Sequence, residues 1–124
     1  MNRLYYNIKL DMSRVSVATA KSKLDTGVVY AGGCTEYVAE CLGLPQKHSS
    51  LWKQGASVGT NNAYTGLAPG DIVGWPPKYA GGSGHVAVYI GEATLKFIDV
   101  PGPGNTTRRI RTGYGSQQLW KYSY

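Results

Sequence analysis

The chain has 124 residues, 42% of them hydrophobic and 16% charged, which indicates one ordinary globular domain over residues 1–124. A chain of this length buries a core without a metal or a disulfide, and its composition excludes a disordered segment. The formal net charge of +6 suits anionic partners. Apart from the cluster Arg108, Arg109 and Arg111, the basic residues are scattered and form no recognition helix or zinc finger, so no nucleic-acid partner is expected.

Two helices are expected in the first half of the chain. Residues 13–24 carry apolar side chains on roughly one side, and Ser13 is the expected N-cap. Residues 28–33 then form an extended approach that ends in two glycines. The second helix is expected from Thr35 to Leu42, where Gly43 ends it.

The second half of the chain is expected to form strands after a short helix at residues 49–56 and a loop at residues 61–66. Apolar and polar residues alternate in the later segments, as they do in strands with one buried face. The predicted strands lie at the end of residues 67–75 and at residues 85–90, 94–100, 106–112 and 119–124. Helices followed by an antiparallel meander predict an α+β fold.

Cys34 directly follows two glycines and stands where the second helix begins. The unpaired N–H groups there, near Gly33 and Thr35, favour a thiolate and also suit an oxyanion. Cys41 lies about 10 Å further along the helix, which is too far for a disulfide with Cys34. The spacing places Cys34, Val38, Cys41 and Leu42 on one helix face, where Cys41 is interpreted as a small core residue.

The expected base is His85 and the expected orienting acid is Asp99. His85 opens a strand after a glycine-rich loop, whereas His48 lies in a polar segment and is interpreted as solvated. If residues 91–93 form a three-residue hairpin loop, Asp99 lies opposite His85 with the Cβ atoms about 5 Å apart. A loop of two or four residues would instead place Val100 there. Each residue alone is more often structural, but the joint pattern of thiol, imidazole and carboxylate is typical of nucleophilic catalysis.

Three segments in the same order resemble the NlpC-type and CHAP-type cysteine peptidases and amidases of bacterial cell walls. They are "YAGGCTEYVAECLGLP", "LAPGDIVGW" and "GHVAVYIG". The chain also resembles the small amidase effectors that type VI secretion delivers. The resemblance covers roughly residues 28–100. It implies a papain-like (NlpC-type) fold with N-terminal helices packed on an antiparallel β-sheet.

The resemblance also implies roles for single residues, with no cofactor and no metal. Cys34 corresponds to the nucleophile, His85 to the base and Asp99 to the orienting residue. Tyr30 corresponds to a family tyrosine near the thiol, with a core aromatic as the alternative. Family endopeptidases commonly have Asp-Cys-Ser where this chain has Gly33-Cys34-Thr35, so the bond that is cleaved stays open.

The expected function is a cysteine amidase or endopeptidase that hydrolyses amide bonds in peptidoglycan stem or cross-link peptides. The expected partners are that peptide and an immunity protein that blocks the cleft. No signal peptide or membrane-spanning segment is visible, which leaves three interpretations: the chain works in the cytoplasm, is delivered by a dedicated apparatus, or is cut from a longer precursor. With a cell-wall substrate, the expectation is a secreted antibacterial effector or lysin, delivered into the periplasm of a target cell by a secretion machine or a phage particle. The alternatives are a papain-like effector that cleaves or deamidates a host protein, and a non-catalytic wall-binding module.

Overall fold

The computed structural model describes residues 11–77 and 82–124. This part of the chain contains the helices α1 (Val17–Ser22) and α2 (Cys34–Leu42) and a 3₁₀ turn at Ser49–Leu51. Its strands are β1 (Lys53–Thr60), β2 (Ala63–Tyr64), β3 (Ile72–Trp75), β4 (His85–Tyr89), β5 (Phe97–Asp99), β6 (Arg108–Ile110) and β7 (Leu119–Ser123). The predicted α+β class is therefore confirmed. Within the described ranges, no helix has the length and apolar character that a membrane crossing requires.

The first helix is shorter than the predicted residues 13–24. The side chain of Ser16, not that of Ser13, caps α1 by accepting a backbone N–H of the first turn. The chain just before this cap is held in an extended form by a β-bridge between Arg14 and Asp71. Because those residues are already paired with another segment, the helix begins only after them.

The second helix agrees with its prediction to within one residue, since α2 begins at Cys34 and Gly43 ends it in the left-handed conformation at φ 71°. All four residues of its predicted face contact the same apolar core, but the buried face is wider than predicted. Of the four residues expected to share that face, only Val38 is fully buried, and both cysteines are partly buried. Tyr37 is buried as well, because its hydroxyl donates to a backbone carbonyl of α1 over 3.0 Å.

All seven strands form one antiparallel sheet in the order β2-β1-β7-β3-β4-β5-β6. The predicted meander is confirmed from β3 to β6, whereas β7 returns to lie between β1 and β3. The sheet curls, so that the ring of Tyr64 in β2 packs 5.6 Å from that of Phe97 in β5.

Two predictions for the middle of the chain are wrong. The helix expected at residues 49–56 stops after Leu51, and residues 53–56 belong to β1. The loop expected at residues 61–66 contains the short strand β2. Val58 is the one fully buried residue of β1, so this strand carries little apolar alternation and depends on pairing with β7. Residues 78–81 of the loop predicted before β4 lie outside the described residues.

The sheet separates two apolar cores. The first lies between the helices and one sheet face, where α2 packs on β4 and β5. Its central members are Tyr37, Val38, Val86, Val88 and Ile98. The second lies inside the curl and contains Val58, Val73, Ala87, Phe97 and Leu119. Burial on both sides fixes β4 and β5, the strands that carry His85 and Asp99.

Candidate active site

A cleft of about 220 Å³ lies where the N-terminus of α2 meets the start of β4. Cys34 and His85 both line it. The other lining residues are Gly32, Thr35, Gln46, His48, Ser49, Ser83, Gly84, Pro101, Gly102 and Pro103. Apart from the two histidines, these lining residues are uncharged, and most are small, so the cleft admits a peptide backbone.

Gly33 is the residue that brings the thiol to the start of the helix. It is the N-cap of α2, with φ 75° and ψ −144°, a conformation that side chains rarely allow. A Cβ atom at this position would also lie 2.9 Å from the backbone nitrogen of Pro103. The glycine therefore lets the Pro101–Pro103 segment approach closely, and Cys34 follows as the first helical residue.

His85 is held between an aromatic ring and a carboxylate. Its ring stacks on Trp75, the residue opposite it in β3, with the centroids 4.8 Å apart and the planes at 29°. Its Nε2 atom lies 2.7 Å from Oδ2 of Asp99. Because an ionised carboxylate only accepts hydrogen bonds, the ring donates through Nε2–H and its Nδ1 is left for the thiol of Cys34.

The predicted register between the two strands is wrong by two residues. Val88 pairs with Ile98, and this pairing continued along the strands places Asp99 opposite Ala87 instead of His85. The loop beyond Ile90 has five residues, not three, because the N–H of Ile90 donates to the carbonyl of Lys96. A two-residue shift keeps every side chain on its original face, so Asp99 still reaches His85 along the diagonal.

Asp99 is fully buried and accepts hydrogen bonds from three side chains. In addition to the bond with His85, the hydroxyl of Tyr114 donates to Oδ2 over 2.6 Å. The Arg108 guanidinium donates through Nε to Oδ1 (3.2 Å) and through Nη2 to Oδ2 (3.3 Å). Burial acts to raise the pKa of Asp99, but the hydrogen bonds from His85, Tyr114 and Arg108 outweigh it and lower that pKa.

The thiol and the imidazole shift each other toward their charged forms. Burial acts to raise the pKa of Cys34, but a hydrogen bond with His85 and the charge of that ring lower it overall. Burial acts to lower the pKa of His85, but hydrogen bonds with Asp99 and Cys34 raise it to about 9. Both shifts act in the direction of a thiolate–imidazolium pair.

The residues expected to assist the thiol lie in different places. Thr35 lines the cleft, and its hydroxyl accepts a hydrogen bond from Nε2 of Gln46 over 3.1 Å. Gly33 lies directly before the thiol. The ring of Tyr30 is buried and packs edge-to-face on Tyr37 at 5.5 Å. Burial and a hydrogen bond with Glu40 raise the pKa of Tyr30. Tyr30 is not among the residues that line the cleft.

Four residues near the site have surroundings that the motifs did not indicate. His48 is exposed, as expected, but it also lines the cleft, and its Nδ1 accepts the N–H of Ser50 over 3.2 Å. Gln46, Arg108 and Tyr114 were not identified from the sequence. Arg108 was visible only as part of a basic cluster. The placement of Tyr114 between two glycines was the one local signal for a special role.

The arrangement supplies what nucleophilic acyl transfer requires. It has a thiol with a lowered pKa, an imidazole within reach of that thiol, and a buried carboxylate that fixes the imidazole. Residues 11–77 and 82–124 contain no group of three or more His, Cys, Asp or Glu side chains that could hold a metal ion. No family model, curated protein or solved structure compared with this chain matches it.

Proposed function

We propose that this chain is a papain-like cysteine amidase or endopeptidase that hydrolyses amide bonds in peptidoglycan stem or cross-link peptides. The observation that carries the proposal is that Cys34 and His85 line one open cleft while His85 is bound to the buried Asp99 over 2.7 Å. A non-catalytic wall-binding module does not require a cysteine whose pKa is lowered by its surroundings.

The reaction begins with attack of the Cys34 thiolate on the amide carbonyl carbon. The N–H groups of the first turn of α2 stabilise the oxyanion that forms. His85 then gives its proton to the leaving amine as the C–N bond breaks, which leaves a thioester on Cys34. His85 next takes a proton from water, whose oxygen attacks the thioester; the C–S bond breaks, the carboxylic acid is released, and the Cys34 thiolate and protonated His85 are restored. Asp99 stays ionised and holds the ring throughout.

The substrate class is supported by the family resemblance of the motifs and by the shape of the cleft. Glycine, serine and proline residues, which have small or rigid side chains, make up more than half of the cleft lining. The net charge of +6 favours association with an anionic cell wall. Such a substrate places the site of action in the periplasm of a target cell, and an immunity protein that fills this cleft is the partner we propose.

Digestion of purified peptidoglycan tests the proposal. Wild-type protein and the variant Cys34→Ala are incubated with the wall, and the soluble fragments are identified by mass spectrometry. We expect the wild type alone to release fragments with a new amine and a new carboxyl group, which also identify the bond. The variant Cys41→Ala is the matched thiol control and should remain active.

Three results would contradict the proposal in different ways. Fragments released by Cys34→Ala would exclude this thiol as the nucleophile. An intact wall together with thiol-dependent cleavage or deamidation of a protein would favour the host-protein alternative. Binding to the wall without any cleavage would favour the non-catalytic module.

A further inference from the structure

The hydroxyl of Tyr114 reaches the buried acid of the site from a segment that none of the motifs covers. It donates to Oδ2 of Asp99 over 2.6 Å, and this oxygen also lies 2.7 Å from Nε2 of His85. Arg108, directly opposite Asp99 in β6, donates to both carboxylate oxygens. All three side chains therefore share Oδ2, at 2.6 Å for Tyr114, 2.7 Å for His85 and 3.3 Å for Arg108, and Arg108 also holds Oδ1.

The ring of Tyr114 is fixed by its aromatic neighbours. Its centroid lies 5.3 Å from that of Trp75, 5.4 Å from that of Phe97 and 5.6 Å from that of His85, all in edge-to-face contacts. Its backbone N–H donates to the hydroxyl of Tyr64 over 3.0 Å. A ring held on this many sides keeps its hydroxyl in one place.

The glycine before Tyr114 is needed for this packing. Gly113 has φ 122°, and a Cβ atom there would lie 2.6 Å from the hydroxyl oxygen of Tyr64. Any larger residue would push Tyr64 away and release the backbone of Tyr114. The local sequence is therefore adapted to hold this one ring against the acid.

We propose that Tyr114 is a positioning residue, whose hydroxyl holds the Asp99 carboxylate turned toward His85 and so keeps the His85 ring facing Cys34. Without that hydroxyl, Arg108 binds the carboxylate with less competition, and the carboxylate turns toward the guanidinium. His85 then loses part of the hydrogen bond that stabilises its protonated form. The thiolate of Cys34 loses its counterion in turn.

Tyr114 suits this role because its hydroxyl stays protonated. Burial and the adjacent charge of Asp99 raise the pKa of Tyr114 well above the usual value of 10. The hydroxyl is therefore a donor to Asp99 at every pH at which the protein works. Among the described residues, the charged or titratable groups that act on His85 are Cys34 of α2 and Asp99 of β5, with Tyr114 against the ring; Arg108 of β6 acts on Asp99.

The pH dependence of Cys34 alkylation tests the proposal without any substrate. Iodoacetamide is used in a Cys41→Ala background, so that the measured rate is that of the Cys34 thiol alone. In Tyr114→Phe we expect thiolate formation to move to higher pH by about one unit, the size of one lost hydrogen bond. An unchanged profile, or a shift to lower pH, would overturn the proposal.

A double-mutant cycle separates positioning from a merely structural role. In an Asp99→Asn background, Tyr114→Phe should cause no further shift of the alkylation profile, because the two residues act through the same contact. Equal shifts in both backgrounds would overturn the proposal. Tyr37→Phe removes a buried tyrosine hydroxyl bond elsewhere and should lower stability while leaving the profile unchanged.

Peptidoglycan turnover adds a second readout, which rests on the proposed function. Tyr114→Phe should lower kcat about tenfold and leave KM nearly unchanged, because the hydroxyl does not touch substrate. A shifted alkylation profile in a protein that leaves peptidoglycan intact would support Tyr114 and reject the proposed function. An unshifted profile in a protein that digests peptidoglycan would support the proposed function and reject the role of Tyr114.

Discussion

Replacement of Asp99 by asparagine keeps the volume of the side chain and removes the charge that His85 binds. The bond between His85 and Asp99 is short, at 2.7 Å, and fully buried on the acid side. Hydrogen bonds to charged groups contribute about 1.5–3 kcal/mol. At about 1.4 kcal/mol for each factor of ten, Asp99→Asn should lower turnover roughly 10- to 150-fold.

The fold should survive this change. The amide oxygen still accepts from Tyr114, and the Arg108 side chain is 51% exposed, so water replaces the lost carboxylate. Turnover is measured as the release of new amines from peptidoglycan, and folding is followed by thermal unfolding.

Asp71→Asn is the matched control for a buried acid. Asp71 accepts the N–H of Ala68 over 2.8 Å and pairs with Arg14 and Lys121, away from the cleft. This variant should lose stability and keep its turnover. Full turnover in Asp99→Asn, or an equal loss of turnover in both variants, would refute the role of Asp99.

Further predictions concern the two histidines, the second thiol and pH. His85→Ala should lower turnover by about 10²- to 10⁴-fold, whereas His48→Ala should stay near wild type in the same assay; equal losses would point to a different base. Cys41→Ala should keep activity and cost about 1 kcal/mol in denaturant unfolding, and a loss of activity would show that Cys41 is not structural. Turnover of the wild type should fall above about pH 9, where His85 loses the proton that it gives to the leaving amine; an undiminished rate there would contradict this assignment. Because the folded-state pKa of Asp99 is lowered, its contribution to stability is present above pH 3.8 and lost as the pH falls through that lowered pKa. The stability of the wild type should therefore fall more steeply with decreasing pH than that of Asp99→Asn. Identical acid-unfolding curves would contradict a lowered pKa for Asp99.

The residues of the site were predictable where a local rule applied. The glycines before Cys34, the Gly43 cap and the apolar run of residues 85–90 identified α2 and β4 within one residue. Asp99 was assigned to the correct face from a wrong register, because shifts of two residues preserve the side on which a side chain lies. A shift of one residue would have removed it from the site.

The other features depend on contacts between distant segments. Tyr114 meets Asp99 only because β6 and the following loop return along β5, and no local pattern encodes that contact. Strand β1 was assigned to a helix in part because its extended form comes from pairing with β7 rather than from its own alternation. Likewise α1 starts late because Arg14 pairs with Asp71, 57 residues away.

The most direct test of the site is the rate of Cys34 alkylation against pH in a Cys41→Ala protein. A thiol held as a thiolate by His85 should react well below the free-thiol pKa of about 8.5. His85→Ala should move the transition up to that value or above it, since burial alone raises the pKa of Cys34. A transition at 8.5 or higher in the protein that retains His85, unmoved by His85→Ala, would show that Cys34 is an ordinary partly buried thiol and not a nucleophile.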